Sequence, residues 1–455
     1  MPPEMAESIL PQANCQELFA AVQSAAKSLG VSDVEALFGA RCAALTRFAN
    51  NTIHQNVAEQ DRWISVRVAL DHRTARATTN RFDPDSIRGA VAQALALARS
   101  AAANPDLLPL FERSAISETK RFDAVTASAT PQHRASAVAE AIRIVEGMGQ
   151  TAAGIYSTGQ SVEAMYNSRG VSAWHAETMA QFSITAMAGD SSGWAKASAV
   201  SHASIDPLAL ARSAAEKARL SRDPQEILPG RYTVILEPAA VLDLVGQMFG
   251  DFSATAVADS RSFLTDRVGK KLFGENIQIA DDAAHPLQAG VPFDGEGVPR
   301  RKLTLVDAGV PRDLAYARSS ARKAGVEPTG HGFPLPNEVG EAPLNIVIAG
   351  GSTSTDEMIA STERGVLVTR LWYIREVDPY EKIMTGMTRD GTFMIENGRV
   401  SRGLRNFRFN QGIIELLNNV EALSPSVRAS GEEAFDMVVP AMKVRGFNFT
   451  EVTRF

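Results

Sequence analysis

The stretch from Tyr232 to Asp251 constrains this chain more than any other. A strand-like run, residues 232–236, meets Glu237 and Pro238 and gives way to a segment in which Val241, Leu244, Val245, Met248, Phe249 and Phe252 recur at steps of three and four. Such spacing lays one apolar stripe along a helix and turns it toward a core. Pro238 falls in the first turn, where the N–H that proline lacks would have no partner anyway. The rest of the C-terminal half is expected to be built around this helix.

Upstream, residues 16–29 carry Leu18, Phe19, Val22, Ala25, Ala26 and Leu29 at helical spacing, with Gly30 placed as a C-cap glycine. Strand-like runs follow at 34–38, 42–48 and 63–70. The last alternates Ile64, Val66, Val68 and Leu70 with Trp63, Ser65, Arg67 and Ala69, the period of two of a half-buried sheet. Asn50 and Asn51 read as a turn within a polar run, and Asp83-Pro84 opens a helix bearing Ile87, Val91, Ala94, Leu95 and Ala98. Weak patterning and two Asn/Leu-Pro steps between 101 and 130 place a domain boundary there. A helix over 131–148 and an antiparallel meander over 153–201 follow. Asp206-Pro207, leading into an alanine-rich helix, echoes Asp83-Pro84 and suggests a repeated helix-sheet-helix plan.

Beyond Asp223-Pro224 and Pro229-Gly230 the chain reads as strands at 276–280, 301–306, 310–316, 344–349, 366–374, 392–395 and from Val400 onward. Asn397-Gly398 is a hairpin signal, Ser354 with Glu357 a capping box, and residues 411–420 a closing helix. The fold class is therefore α+β in three parts: an N-terminal helix-and-sheet domain (1–105), a middle helix plus antiparallel meander (106–226) and a large β-rich C-terminal domain (227–455).

Several function classes are disfavoured by bulk properties. The net charge is −6, and the most basic stretch, 261–271, is broken by Phe263, Leu264 and Asp266, so nucleic acid is not an expected partner. No basic segment precedes an apolar core near the start, and no apolar run approaches the roughly eighteen residues of a membrane span. A cytoplasmic location with no membrane partner is expected, where Cys15 and Cys42 would stay thiols and serve as apolar filler. Residues 350–355 lack the lysine of a phosphate-binding loop, and no Gly-x-Ser-x-Gly elbow presents a serine.

The stretch around Val245-Gly246 resembles the TldD/PmbA family, whose members were once called modulators of DNA gyrase. Catalytic members carry His-Glu-x-x-x-His there, and registering on Val245-Gly246 puts Leu242 and Gln247 at the two histidines and Asp243 at the glutamate. The family's third zinc ligand, a cysteine shortly before Gln-Val-Asp-Pro, falls on Trp372, because Glu376-Val377-Asp378-Pro379 matches that run. Residues 293–299 and 329–332 also match family segments. The resemblance thus implies a degenerate metal site at Leu242, Gln247 and Trp372, no metal or cofactor on this chain, and Asp243 as the one catalytic candidate. It implies Asp294, Glu296, His331 and Asp378 as substrate-groove candidates. The residues themselves agree about zinc: no two of the seven histidines lie three to five apart, so no single helix supplies two imidazoles one turn apart.

Family members dimerise, and a zinc-bearing TldD-type subunit pairs with a metal-free PmbA-type (TldE) subunit to degrade unfolded or extended peptides. This chain resembles the metal-free branch. Its expected role is a non-catalytic subunit beside a zinc-bearing sibling, or a homodimer, with extended peptides as substrates and zinc confined to the sibling. The alternatives are a modulator that binds protein or peptide without peptidase involvement, and a metal-independent hydrolase using Asp243. Restoring the histidines, the glutamate and the cysteine would, on this register, recreate a zinc site.

Overall fold

Asn50 and Asn51 both take left-handed backbone conformations, φ 50° and 58°, as a tight hairpin turn matched to strand twist requires. They join β1 (Asp33–Ala49) to β2 (Thr52–Leu70) in a computed structural model that describes residues 7–453. The two runs expected at 34–38 and 42–48 are one strand. Gly39 between them is no break: a Cβ there would fall 2.3 Å from Cε2 of Trp63, so the glycine lets the indole lie against the backbone.

With β3 (Arg73–Thr79), β4 (Thr151–Asn167), β5 (Ser172–Ala188) and β6 (Ser191–Ala199), these strands form one antiparallel sheet ordered β3-β2-β1-β4-β5-β6. β1 and β4 pair continuously, Glu35 opposite Asn167 through Phe48 opposite Gly154, so the sheet runs on across residue 105. Helices α1 (Gln12–Ser28) and α2 (Pro84–Ser100) flank the first three strands. After the short α3 (Ala124–Ala127), α4 (Pro131–Gly147) and α5 (Pro207–Leu220) flank the second three. Asp83 caps α2 at the amide of Ser86, and Asp206 caps α5 at those of Leu208 and Ala209. The Asp-Pro echo thus marks two copies of a helix, three-strand, helix unit, back to back across β1 and β4. Both helix pairs cover one face, burying Val34, Ala36 and Phe38 at one end of β1 and Phe48 at the other.

The opposite face meets the C-terminal half through buried charge. Glu35 accepts from Arg67 Nε (3.0 Å) and Nη2 (2.6 Å) and from Arg76 Nη2 (2.6 Å), while Arg76 Nε donates to the carbonyl of Leu335 at 2.8 Å. Burial alone would raise the Glu35 carboxyl, but the two guanidiniums outweigh it and hold the group below its usual range.

In the C-terminal half β7 (Gly230–Leu236) feeds α6 (Pro238–Val245). The expected single helix ends there and tightens into a 3-10 turn over Gly246–Phe252. Packing is close where the helix changes: a Cβ on Gly246 would sit 2.5 Å from Cβ of Ala434. The amphipathic stripe is also corrected, since every residue from Ala240 to Val245 is buried and the helix is enclosed on all sides. Helices α7 (Ala254–Ala258) and α8 (Arg318–Ala324) are short. One sheet joins β8 (Ile279–Asp281), β9 (Leu303–Asp307), β10 (Val310–Pro311) and β11 (Ile346–Ile348) to two later strands.

Helix α9 (Thr355–Ala360) carries the reciprocal box between Ser354 and Glu357, and Ser354→Ala is expected to lower stability by about 1 kcal/mol, read as a shift in denaturation midpoint. β12 (Arg364–Asp378) and β13 (Ile383–Glu396) pair with each other, and Asn397 and Gly398 (φ 50° and 74°) turn β13 into β14 (Arg399–Gly403). β15 (Phe407–Gly412) leads to α10 (Ile413–Asn418), which is shorter than expected and does not close the chain. Four strands follow it: β16 (Val420–Leu423), β17 (Val427–Ala429), β18 (Met437–Val439) and β19 (Met442–Val452). β17 and β18 extend the sheet of β8 to β11. Strands β12, β7, β19, β15 and β13 pair in turn and, through β12 with β13, close into a ring. Among the described residues no helix is long and apolar enough to cross a membrane.

Candidate active site

Asp243 is the one polar residue of α6 and is fully buried. Its Oδ1 accepts the N–H groups of Glu432 and Glu433, each at 2.9 Å, and Oδ2 has no hydrogen-bond partner. One turn further, Gln247 Nε2 donates to the carbonyls of Asp243 (3.1 Å) and Glu433 (3.0 Å). The Glu433 carboxylate then reaches β12, accepting from the amides of Tyr373 (2.8 Å) and Ile374 (3.2 Å). The segment 431–433 is therefore stitched between α6 and β12, beside Trp372, and the structure brings Leu242, Asp243, Gln247 and Trp372 into one neighbourhood. Contact is tight: a Cβ on Gly431 would lie 2.2 Å from Asp243 Oδ1 and 2.6 Å from Leu242 Cδ2.

Trp372 is half-buried between two guanidiniums. Arg370 Cζ lies 5.3 Å from its ring and 5.0 Å from that of Trp194, and Arg389 Cζ lies 5.0 Å from Trp372. Arg370 is itself held by Asp390 through Nε and Nη2. Lys196 of β6 donates to the carbonyl of Gly431 at 2.6 Å, which sets this neighbourhood at the seam between the N-terminal sheet and the C-terminal half.

These residues do not fit zinc. Leu242 has no donor atom, the Gln247 amide is engaged with the loop, an indole offers no lone pair, and Asp243 has committed one oxygen to two amides. Among the described residues no three His, Cys, Asp or Glu side chains are grouped to hold a metal ion. Burial pushes the Asp243 carboxyl up to about 6, against the loop amides and Arg370 that favour its charged form. The carboxyl is fully buried and holds the loop through the amides of Glu432 and Glu433.

A second acidic group lies where the C-terminal half meets the N-terminal sheet. The loop 294–297 reads as a solvated turn in sequence, yet Asp294 and Glu296 are buried. Asp294 Oδ1 accepts from the amides of Glu296 and Val298, both 2.9 Å, and Oδ2 from that of Gly332 at 2.8 Å. Glu296 meets Arg318 at 3.3 Å. Burial raises both carboxyls, Glu296 to about 7, even though Arg318 pulls the latter down. Gly332 fits between them, its notional Cβ 3.1 Å from Glu296 Oε1 and 3.2 Å from Asp294 Oδ2. His331 beside it is buried, with Nδ1 2.9 Å from Thr329 Oγ1 and Nε2 3.2 Å from Asp281 Oδ1, off the line of a hydrogen bond. Asp281 is fixed by the amides of Leu344 (2.7 Å) and Asn345 (2.8 Å). Burial would raise its carboxyl, but His331 and Asn345 hold it below the usual range.

The structure thus gathers Asp294, Glu296 and His331. It leaves Asp378 apart, its Oδ1 capping the turn at the amides of Tyr380 and Glu381, both 2.9 Å. Sequence reasoning missed Glu433, Lys196 and Glu341. Glu341 binds Ser253 Oγ (2.8 Å), Thr255 N (2.7 Å) and Ser320 Oγ (2.9 Å), knitting three segments together. The glycine at 431, ahead of two glutamates, was the only local signal for the loop.

Comparison with known proteins agrees in chain order. Models of the PmbA/TldA metallopeptidase match as domain 1 over residues 34–98, the central domain over 106–222 and the C-terminal domain over 229–451. A metalloprotease of Methanothermobacter thermautotrophicus is 25% identical over 287 residues, 59% of this chain and 61% of that protein. Metalloprotease PmbA of Escherichia coli O157:H7 is 24% identical over 233 residues, 50% of this chain and 49% of its own length. The chain therefore matches about half to three-fifths of the length of these relatives. In fold it is similar to TldE from Thermococcus kodakarensis (TM-score 0.86, 20% identity, 96% of this chain and 99% of that one). It is likewise similar to a protein from Thermotoga maritima described as a modulator of a DNA gyrase (TM-score 0.84, 21% identity, 96% and 100%).

Proposed function

The chain belongs to the PmbA/TldD metallopeptidase family, and from that premise we propose that it is the metal-free subunit of a cytoplasmic two-subunit peptidase, holding an extended peptide while a zinc-bearing sibling cuts it. One observation carries the reading: Asp243 and Gln247 clamp the loop 431–433, and Leu242, Gln247 and Trp372 offer no imidazole or thiolate. Hydrolysis needs an activated water, and a carboxylate alone deprotonates water poorly, whereas a bound metal lowers the water's pKa to about 7. A peptide laid along a strand edge gains main-chain hydrogen bonds without demands on its sequence, which suits the β-rich half.

The purified chain is expected to carry no stoichiometric zinc by metal analysis and to leave an unfolded polypeptide uncut. Adding a zinc-bearing TldD-type sibling is expected to give cleavage and, in light scattering, a particle of about twice the mass. Cleavage by this chain alone that survives a chelator and disappears in Asp243→Asn would favour a metal-independent hydrolase. A sibling whose activity and mass ignore this chain would favour the modulator.

A further inference from the structure

A cavity of about 510 Å³ opens to solvent beside the hairpin of β9 and β10, a size that suits a small molecule. Its walls come from four chain segments, and main-chain hydrogen bonds fix them to one another. Arg301 N donates to the carbonyl of Thr329, Thr329 N to that of Tyr316 and Asp313 N to that of Thr304, each at 3.1 Å, while Gly269 N reaches that of Pro311 at 2.8 Å and brings Val268 into the lining. The apolar part of the lining is the buried Leu303 and Leu314, the half-buried Tyr316, and Val268 and Val326, two large apolar side chains left exposed on this chain. Apolar surface that stays wet in a pocket already held in shape favours a ligand with an apolar body.

The charged part of the lining carries both signs. Two of its cations are engaged: Arg301 Nη2 donates to the carbonyls of Glu327 (3.1 Å) and Pro328 (2.8 Å), and Lys302 Nζ lies 3.1 Å from Asp282 Oδ2. Among the described residues the Arg312 guanidinium, the Glu327 carboxylate and the Tyr316 hydroxyl make no hydrogen bond, and the ion-pair partner of Arg312, Asp307, stands 3.8 Å away. Asp313 gives Oδ2 to the amide of Thr304 at 2.8 Å and keeps Oδ1 open. Arg312, Asp313 and Glu327 are all exposed, so a molecule in the cavity can reach them. A simple anion would meet Arg312 but face two carboxylates, and a simple amine would meet those carboxylates but face the guanidinium. A molecule bearing both charges satisfies the lining.

We propose that this cavity is a binding site for a small zwitterion with an apolar side chain, of which a free apolar amino acid is the simplest. Arg312 takes its carboxylate, Glu327 its ammonium group, and Val268, Leu303, Leu314 and Val326 its side chain. A dipeptide offers the same chemistry with the two charges further apart. The site is independent of the peptide-holding role proposed above. Its charged partners are exposed, so each contributes modestly and affinity is expected at the millimolar end of the scale.

The test titrates the full chain at pH 6.5 with L-leucine, leucine amide, N-acetyl-leucine, glycine and leucyl-leucine, followed by saturation-transfer NMR of the ligand. Leucine should bind saturably and glycine should not, because glycine has no side chain for the apolar lining. Leucine amide, which lacks the carboxylate, and N-acetyl-leucine, which lacks the ammonium, should each bind about fivefold more weakly than leucine. Arg312→Gln should erase the difference between leucine and its amide, and Glu327→Gln that between leucine and its acetyl derivative. Both replaced side chains are exposed, and unchanged denaturation midpoints will show that the variants fold. Leucyl-leucine binding more tightly than leucine, with the same response to both variants, supports the site with a dipeptide as occupant. Absence of saturable binding by leucine and leucyl-leucine, equal binding of all five compounds, or binding that both variants leave unchanged overturns the proposal.

Discussion

Replacing Asp243 with alanine will destabilise the chain by roughly 3–4 kcal/mol, while Asp243→Asn will cost far less and will change how stability depends on pH. Alanine leaves the amides of Glu432 and Glu433 without an acceptor in a dry site and opens a void against Gly431. Asparagine keeps the acceptor and removes the titration. The native carboxyl stands at about 6 and an unfolded aspartate near 3.9, so the folded state binds the proton more tightly. The stability this group contributes is complete below about pH 4 and is lost as pH rises through 6, by about 1.4 kcal/mol per unit, or about 3 kcal/mol in all. Denaturant midpoints at pH 4.5 and pH 7.5 should show wild type falling relative to Asp243→Asn over that interval. A difference between the two proteins that does not change with pH would sink the account.

The combined replacement Leu242→His, Asp243→Glu, Gln247→His and Trp372→Cys will not yield a chain that holds one zinc. Sequence alone suggests that returning the ligands returns the site, but the space is filled by the chain itself. Leu242 is fully buried against Gly431, so an imidazole there must displace backbone and bury polar nitrogens without partners. A glutamate at 243 carries one more methylene into a position with no spare volume. Histidine at 247 gives up the bond to the Glu433 carbonyl, and cysteine at 372 empties the place between Arg370 and Arg389. The losses together should exceed about 5 kcal/mol. Metal analysis after dialysis and thermal unfolding decide it: one tightly held zinc per chain with near-native stability would show that the loop yields, contrary to this reading.

Features set by local chemistry were legible in the sequence. The asparagine turn at 50–51, the aspartate caps at 83 and 206, the Ser354 box and the Asn397-Gly398 hairpin all depend on a few adjacent residues. What failed depended on packing from afar. The runs at 34–38 and 42–48 looked separate because nothing near them in sequence shows the Trp63 ring of another strand lying on Gly39, and the helix after Pro238 looked one-sided because the strands that enclose it, β12, β17 and β18 among them, are remote in sequence. The candidate site divides the same way. Residues at the degenerate metal positions could be named from a motif register, but the partner that closes them, Glu433, lies about 190 residues from Asp243. The Asp294 loop is glycine-rich and acidic, as solvated loops are, and only its contacts with Gly332 and Arg318 reveal it as buried.

The pairing of β1 with β4 has a consequence for how the chain is made. About a hundred residues separate Ala49 from Thr151, which at some 5–20 residues per second of synthesis leaves the second edge of β1 uncovered for roughly 5–20 s on the ribosome. Hairpins form in microseconds, so the β1–β2 ribbon is complete long before its neighbour exists. Throughout that interval it presents a long open edge, a template on which a strand of another nascent chain can pair.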